Sequence, residues 1–407
     1  MPTQAELQQY ASLAVRTGIN LQPGQQLEVR AGIENLPLVR EITRVAYEVG
    51  ATQVYVQWSD DEMTKIRYFD APEESFDTFP DWLKARYDQL AEEKTAFLSV
   101  VSEDPDLLNG VDSSRIARAN KAAGVALANW RKFVMSDNVS WCVVAAPSES
   151  WAKKVFPDSE NAVEELWSAI LKATRADQAD PVAAWADHDH NLRSKAKFLT
   201  EKKYKTLHYT APGTELSIEL PERHVWLGGG GPNADGVDFI ANLPTEEVFT
   251  LPKKTGVNGH VSSTKPLSYS GNLIDEFTLW FENGKIVKAE AKQGQEALDD
   301  LISLDEGARY LGEVALVPHR SPISDSGILF YNTLFDENAS CHLAIGRAYS
   351  TCLENGPSLS AEELEAQGAN DSMTHVDFMI GSADLSIEGE LADGTRESVM
   401  RDGNWSI

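Results

Sequence analysis

The stretch FTLWFENGKIVKAEA, residues 277–291, decides the fold of the part of the chain around it. Runs rich in aromatic and β-branched residues flank Asn283-Gly284, and that dipeptide between apolar runs predicts a tight β-hairpin. Further short strands precede it, namely KTLHYT (205–210), ELSIEL (215–220) and GVNGHVSS (256–263). We therefore expect a β-rich α+β domain with an antiparallel sheet and a few helices, one of them near 295–304.

The N-terminal part of the chain instead alternates strands with helices. The predicted strands are QLEVRA (26–31), TQVYVQW (52–58), TAFLSVV (95–101) and WCVVAA (141–146). Helices are predicted after Pro37 with a stop at Gly50, and around 79–93, 113–133 and 158–175, the last with Asp158 or Ser159 as its N-cap. This alternation predicts an α/β N-terminal domain with a mainly parallel sheet.

The chain has 407 residues, which is enough for two domains with separate cores. A helical stretch rich in Lys and polar residues, roughly 181–203, separates the two patterns of the sequence. We therefore predict an α/β domain over residues 1–185 and a β-rich domain over residues 186–407.

Acidic residues outnumber basic ones by 63 to 36, and the formal net charge is -27. Such a surface repels phosphate backbones and anionic lipids, which argues against nucleic-acid and membrane partners. No apolar run approaches the ~18 residues that a membrane span needs. The N-terminus, MPTQAELQQYASLAV, lacks the basic and apolar regions of a signal peptide, so we expect a cytoplasmic protein.

The cysteines Cys142, Cys341 and Cys352 form an odd set without a CxxC pair, which is typical of a reducing compartment. Cys341 lies beside His342 and could be a nucleophile or a zinc thiolate, although a free Cys is more often a small buried hydrophobe. The segment AGIENLP (31–37) lacks the glycine patterns of a phosphate-binding loop, so no nucleotide site is predicted.

Histidines and carboxylates gather in apolar surroundings in the last hundred residues. Glu313 opens the apolar run VALVP, His342 lies in ASCHLAIG, and His375 and Asp377 lie in THVDFMIG. Residues two apart on a strand face the same side, so Asp377 could share a metal with His375 or orient its ring. Burying such groups is costly unless a divalent ion pairs with them, which suggests a metallohydrolase.

Other polar residues have weaker claims. His188 and His190 in ADHDHN resemble a metal motif, but their charged surroundings favour a solvated surface pair. His319 is a possible loop ligand or substrate contact, and Tyr349 could be simply a half-buried aromatic residue. The tetraglycine at 228–231 predicts a flexible turn or a close approach of backbone or substrate.

With these motifs in order, the sequence resembles the thermophilic-type metallo-aminopeptidases of the M29 family. The resemblance rests on ANLPTEEVFTLP (241–252), GEVALVP (312–318), FDENASCHLAIGRAY (335–349) and HVDFMIG (375–381). Together with the N-terminal α/β region, these motifs cover nearly the whole chain.

The resemblance implies a dinuclear metal site in the β-rich domain and removal of N-terminal residues from peptides with a free N-terminus. The implied metal ligands are Glu247, Glu313, His342, Tyr349, His375 and Asp377, with Glu337 a further ligand or close neighbour. Glu247 is chosen over Glu246 because the family motif has its glutamate directly before Val-Phe.

The same resemblance suggests roles for these groups. Glu313 is the best candidate for a ligand shared by two divalent ions, and Glu313, Glu337 and Tyr349 are the predicted catalytic residues. Glu337 and Glu246 are the candidates for a general base. Mixed His and carboxylate ligands tolerate Zn, Co or Mn. A homodimer whose N-terminal domains help to enclose the site is also implied.

Two other functions are compatible with the residues alone. A different dinuclear hydrolase, such as a phosphoesterase, would use the same ligand types, although the acidic charge argues mildly against it. A non-catalytic binding protein would hold a structural metal in a closed ligand shell.

Overall fold

A computed structural model describes residues 1–102, 104–269 and 272–407 of the protein. They form two compact units, one of Met1–Asp187 with Gly230–Pro244 and one of His188–Gly229 with Thr245–Ile407. The sequence did not suggest that residues 230–244 group with the first unit. The domain boundary at 185/186 stays a prediction.

The α-helices are α1 Gln4–Leu13, α2 Leu36–Val49, α3 Asp61–Asp70, α4 Asp81–Glu92, α5 Ser113–Ala126, α6 Ala128–Met135, α7 Glu149–Val155, α8 Ala162–Ala173, α9 Pro181–Lys202, α10 Gln295–Ser303, α11 Thr333–Asp336 and α12 Ala361–Ala366. The strands are β1 Gln26–Gly32, β2 Gln53–Ser59, β3 Ala96–Val101, β4 Trp141–Ala145, β5 Thr206–Ala211, β6 Thr214–Glu219, β7 Leu227–Gly228, β8 Gly231–Pro232, β9 Asp238–Phe239, β10 Val248–Thr250, β11 Val257–Ser262, β12 Leu267–Tyr269, β13 Asn272–Glu282, β14 Lys285–Gln293, β15 Leu311–Leu316, β16 His342–Gly346, β17 His375–Met379, β18 Ser386–Glu390, β19 Arg396–Arg401 and β20 Asn404–Trp405.

The first unit is built on a parallel sheet in the order β2-β1-β3-β4. Helix α2 begins with Pro37 in its first turn and ends at Gly50, which adopts the left-handed conformation at φ 105°. Leu38, Ile42 and Val45 recur on its buried face, as a helical period requires. The predicted parallel α/β architecture is confirmed.

Two helix predictions in this unit were wrong in detail. Helix α8 begins at Ala162 rather than after Asp158 or Ser159. The Ser159 hydroxyl instead accepts the N–H of Asn161 and donates to Glu165, a local bonding pattern that competes with helix continuation. The single helix expected over 113–133 is divided into α5 and α6 at Leu127, where φ is -95° and ψ is 11°.

The second unit is dominated by antiparallel sheets, as the sequence predicted. Nine strands form one sheet in the order β12-β13-β11-β6-β5-β18-β19-β20, with β14 paired to β13. Five strands form another sheet in the order β17-β16-β15-β10-β7. Leu192, Ala196 and Leu199 of α9 join the hydrophobic core of this unit.

The hairpin predicted at Asn283-Gly284 is confirmed. These residues form the two-residue loop between β13 and β14, and both have positive φ, 49° and 84°. Positive φ at both positions is the geometry of a type I′ turn, which matches the twist of the paired strands. A Cβ at position 284 would also collide with the carbonyl of Lys254, so only glycine fits there.

Among the residues that the structure describes, no helix combines the length and the apolar character needed to span a membrane.

A buried histidine in the second unit predicts acid sensitivity. His224 is 1% exposed; its Nδ1 lies 2.7 Å from the carbonyl of Pro221, while Nε2 is buried without a hydrogen-bond partner. Burial lowers the pKa of His224 from 6.5 to about 4, although the bond to Pro221 acts to raise it. The charge of Lys203 lowers this pKa slightly and the charge of Glu354 raises it slightly. The unfolded chain therefore binds a proton between pH 6.5 and 4 that the folded chain does not.

We expect the contribution of His224 to folding stability to fall as the pH drops through this interval, by at most about 3 kcal/mol. His224→Asn keeps a donor for Pro221 and removes the titration, so the variant should lose less stability between pH 6.5 and 4. Urea unfolding of both proteins in chelator would measure the difference. Equal pH dependence of the two proteins would contradict the assignment to His224.

Candidate metal centre

One face of the five-stranded sheet gathers the candidate ligands. Glu313 on β15 lies opposite Ala344 on β16, which in turn lies opposite Asp377 on β17. Because alternate residues of a strand share a face, His342 and His375 lie on this face as well. The spacing H-x-D therefore places both side chains on one side of the strand, as the sequence predicted.

Ala344 leaves space between the acidic groups. It stands directly between Glu313 and Asp377 in neighbouring strands, where a larger side chain would fill the volume above the sheet. Its single methyl group lets the longer ligand side chains converge over it.

A bulge in β15 directs Glu313. The register of β15 against β16 shifts between Leu311 and Glu313, so the strand bends at this point. Gly312 permits the bend because a Cβ there would collide with the carbonyls of Arg347 and Gly346. Glu313 is consequently held in the interior of a fully buried strand and is 5% exposed. Glu313 is therefore not a solvated strand end.

Backbone carbonyls orient both histidines. His342 Nδ1 lies 3.1 Å from the carbonyl of Ser340, and His375 Nδ1 lies 2.7 Å from the carbonyl of Arg347. A proton on each Nδ1 satisfies these contacts and leaves Nε2 as the lone-pair atom. This is the arrangement by which proteins fix the tautomer of a metal-ligating histidine.

The two Nε2 atoms face carboxylate oxygens. His342 Nε2 lies 3.2 Å from Glu247 Oε2 and 3.5 Å from Glu313 Oε1. His375 Nε2 lies 3.6 Å from Glu313 Oε2 and 3.4 Å from Asp377 Oδ1. The possible ligand atoms thus form two clusters, Glu247–Glu313–His342 and Glu313–His375–Asp377, with the atoms of each within 4.8 Å of one another. Glu313 belongs to both and offers one oxygen to each histidine.

Proton affinities are strongly perturbed here. Burial raises the pKa of Glu313 to about 7. The bond from His342 acts to lower this pKa, whereas the negative charges of Asp377 and Glu247 act to raise it. Burial opposes protonation of His375, but its bond to Asp377 and the charges of Asp377 and Glu313 raise its pKa to about 9. Without a bound cation, Glu313 and His375 therefore bind protons more tightly, and these protons offset the excess negative charge of the site.

Glu337 stands outside the two clusters but interacts with them. It belongs to the short turn Glu337–Ala339 that precedes β16. Burial, followed by the charges of Glu247 and Asp377, raises the pKa of its carboxyl well above the usual value. Glu337 therefore interacts electrostatically with Glu247 and Asp377, which belong to the two clusters.

Glu246 and Glu247 precede β10 instead of extending it. In the structure Glu246 is buried and Glu247 is half-buried. Neither residue belongs to a regular helix or strand.

Tyr349 borders the site beside His375, with ring centroids 4.8 Å apart. Its side chain is 38% exposed. Partial burial, followed by the charges of Glu313 and Asp377, raises the pKa of its hydroxyl, so the phenol keeps its proton at neutral pH. The described residues provide no ion pair or hydrogen bond to its hydroxyl, which remains available to a ligand.

Cys341 and His319 lie in neither cluster. The Cys341 thiol is buried 3.2 Å from the carbonyl of Val317 and 3.6 Å from Met400 Sδ, and burial raises its pKa to about 11. These contacts favour a buried structural thiol. The backbone N–H of His319 donates to the carbonyl of Gly403.

The prediction of a solvated histidine pair was wrong for His188. Its side chain is 10% exposed, and Nε2 lies 2.8 Å from the carbonyl of Thr245 and 3.5 Å from Glu246 Oε2. Only His190 is exposed. The error arose because α9 turns His188 toward the segment that carries Glu247, a tertiary contact that its charged sequence neighbours do not reveal.

The tetraglycine marks a close approach of chain segments. A Cβ at Gly228 would lie 3.0 Å from Val248 Cγ2 and 3.1 Å from the carbonyl of Glu247. Gly229 has φ +71°, and a Cβ there would collide with Asp189. The predicted close approach is confirmed at these two positions.

The residues present fit a bound metal. The described ion pairs of Glu247, Glu313 and Asp377 are all with His342 or His375. Asp377 Oδ1 is buried, and its described ion pair is with His375 Nε2 at 3.4 Å. Buried carboxylates that outnumber their cationic partners are unfavourable, and a divalent cation corrects the imbalance.

Comparison with known proteins identifies the family of this chain. A sequence model of the thermophilic metalloprotease (M29) family matches residues 3–405. The chain belongs to the M29 family. Its membership means that the imidazole and carboxylate groups on the five-stranded sheet lie in a metal-dependent protease.

The relatives of this M29 protein are aminopeptidases. Aminopeptidase AmpS of Bacillus subtilis is 55% identical over 99% of this chain and 98% of its own length. Aminopeptidase 2 of Geobacillus stearothermophilus is 54% identical over 99% of this chain and 98% of its own.

Among solved structures, wild-type AmpT from Thermus thermophilus matches with a TM-score of 0.93 and 39% identity, covering 99% of both chains. The M29 relationship therefore extends over both the parallel sheet and the antiparallel sheets.

Sequence reasoning missed one polar residue beside the candidate ligands of this M29 protein. Asn338 directly follows Glu337 and is fully buried, with hydrogen bonds to Glu246 and Leu334. In the sequence, Asn338 could have been recognised as an amide side chain between the acidic Glu337 and the apolar stretch that contains His342.

Proposed function

We propose that this metal-dependent aminopeptidase of the M29 family activates water with two divalent ions held on one face of its five-stranded sheet. The proposed ligands are Glu247, Glu313, Glu337, His342, Tyr349, His375 and Asp377. The observation that carries the proposal is the position of Glu313, whose two oxygens face different histidines in two clusters.

When bound, such ions lower the pKa of water and polarise the scissile carbonyl. The protein contributes orientation and charge. Glu313 supplies one anionic oxygen to each cluster, and the bonds at Nδ1 hold His342 and His375 with Nε2 toward the carboxylates. Fixed donor atoms reduce the reorganisation needed during the reaction.

Two further side chains have proposed proton roles. Tyr349 keeps its proton because its pKa is raised, so its hydroxyl can donate to the oxygen on which negative charge develops. The pKa of Glu337 is raised by burial in the metal-free site, and a bound cation would favour its ionised form, which can take a proton from water and return it to the leaving amine. Glu246 is the second candidate for this general base.

The proposed substrates are peptides with a free N-terminus. The free α-amine of such a substrate can bind a metal ion or a nearby carboxylate of the site. An acylated N-terminus offers neither the lone pair nor the positive charge that this contact needs. Recognition of the amine limits hydrolysis to the first residue.

The proposed ions are Zn, Co or Mn, since mixed imidazole and carboxylate ligands suit all three. We also propose a cytoplasmic homodimer. Among the described residues β2 pairs only with β1, and Tyr55 and Trp58 on this edge strand are exposed. Exposed aromatic residues on an unpaired edge support association with a second subunit.

Metal removal and restoration test the proposal. After dialysis against chelator, we expect hydrolysis of leucyl-p-nitroanilide to fall at least about 100-fold and to return with Co or Zn. N-acetyl-leucyl-p-nitroanilide should stay uncleaved, and p-nitrophenyl phosphate should not be hydrolysed with either metal. Mass spectrometry of the restored protein should find two ions per chain.

Three results would count against the proposal. Amide cleavage that does not depend on metal would overturn metal-dependent activity, and one ion per chain at full activity would overturn the dinuclear centre. Faster cleavage of the phosphate ester than of the amide would favour a phosphoesterase.

A further inference from the structure

The proposed ligands are held in two different ways. Glu313, His342, His375 and Asp377 lie on strands, where the sheet hydrogen bonds fix their backbone. Glu247 lies before β10, and Glu337 lies in the short turn before β16, so a sheet does not fix either backbone. A separate device is needed to set the positions of these two carboxylates.

Asn338 connects the two segments. Its side chain is fully buried, and its Oδ1 accepts the N–H of Glu246 at 2.7 Å. Its Nδ2 donates to the carbonyl of Leu334 at 3.1 Å and lies 3.4 Å from Glu337 Oε1. One side chain thus contacts the backbone beside Glu247 and the carboxylate of Glu337.

The chemistry of these contacts requires an amide. An N–H must meet an acceptor and a carbonyl must meet a donor, which fixes the orientation of the Asn338 group. Aspartate could accept from Glu246 but would place a negative charge beside Glu337 and leave the Leu334 carbonyl without its donor. Leucine, although similar in size, could make none of these bonds.

We propose that Asn338 is a positioning residue that sets the distance between Glu247 and Glu337 and thereby the affinity of the site for metal. This inference rests on the proposed function, because it assumes that both carboxylates serve the metal centre. In this role Asn338 binds no substrate. It acts through the segments that carry the two glutamates.

Metal affinity measures this role more directly than activity. For Asn338→Ala we expect a metal dissociation constant raised about 10–100-fold, the usual effect of losing a group that orients ligands. Excess metal should restore kcat, while KM for leucyl-p-nitroanilide changes little. Hydrogen exchange of the peptide amides around residue 246 should become faster in this variant, because the N–H of Glu246 loses its acceptor.

Two further variants make the test decisive. Asn338→Asp keeps the acceptor for Glu246, so protection of that amide should survive while the metal affinity still falls; it also serves if Asn338→Ala does not fold. Asn233→Ala is the matched control in the first unit, because Asn233 is a buried amide that accepts the N–H groups of Asp235 and Val237. It should lower stability without changing metal affinity.

Metal binding by the wild-type protein distinguishes failure of the proposed function from failure of the positioning role of Asn338. If wild type binds no metal in titration calorimetry with Zn, the proposed function fails. If wild type binds two ions and the folded Asn338 variants bind them within about twofold of wild type, the positioning role fails while the proposed function stands. Equal loss of affinity in Asn233→Ala would also overturn it, since the effect would then follow general destabilisation.

Discussion

Glu313→Gln should reduce kcat for leucyl-p-nitroanilide by at least about 10³-fold, the largest single-residue effect expected in this protein. The neutral amide replaces two anionic oxygens by one carbonyl oxygen and one N–H donor. Since Glu313 faces His342 with one oxygen and His375 with the other, the amide can serve only one of the two clusters. Residue 313 then has no negative charge and no longer offers an equivalent oxygen to each of the two clusters.

The fold should survive this substitution, because glutamine has nearly the same shape and removes a costly buried charge. Circular dichroism and a thermal melt in chelator would establish this, and metal analysis should find fewer than two ions per chain. Glu388→Gln, on an exposed position of β18, is the matched control and should retain full activity. Near-normal turnover by Glu313→Gln would show that Glu313 is not the shared ligand.

The stabilisation that Glu313 and His375 give the metal-free protein should be lost as the pH rises from about 4.5 to about 9. A group whose folded pKa is raised stabilises the fold below its unfolded pKa, and that stabilisation disappears as the pH rises through the folded value. Glu313 changes from 4.5 to about 7 and His375 from 6.5 to about 9, so both act in this direction. For Glu313 alone the loss is on the order of 3 kcal/mol.

Bound metal should remove this loss. Coordination needs ionised carboxylates and neutral imidazoles, so metal affinity increases with pH while the empty site becomes less stable. Thermal melts across this pH interval, with chelator and with Zn, should therefore diverge as the pH rises. In chelator, Glu313→Gln should show a shallower decline than wild type. Between pH 6.5 and 9, above the interval in which His224 titrates, a metal-free Tm that stays constant or increases would contradict the prediction.

Much of the fold could be predicted from sequence because its signals are local. The hairpin at Asn283-Gly284 needs only two residues that accept positive φ, and α2 is bounded by Pro37 and Gly50 within its own sequence. The start of α8 could not be predicted with the same certainty, because Ser159 had two possible bonding patterns. Its bond to Glu165 is seen only in the structure.

The candidate site divides in the same way. The H-x-D spacing predicted a common face for His375 and Asp377 because strand geometry determines it. The shielding of His188 depends on α9 meeting Thr245, more than fifty residues later in the chain (|i−j| = 57). The position of Asn338 beside Glu246 is likewise a long-range contact (|i−j| = 92). Neither contact could be predicted from the sequence, because the periodicity of helices and strands carries no information about it.

The order of strands in the five-stranded sheet affects how the protein is made. Strand β10 follows Glu247 directly and pairs with β15, which carries Glu313; β15 pairs with β16, and β16 with β17, which carries Asp377. A chain growing on the ribosome cannot assemble this face until residue 377 has emerged. Capture of metal should therefore be a late event of biosynthesis, and a nascent chain released before this strand would hold its carboxylates without the ions that balance them.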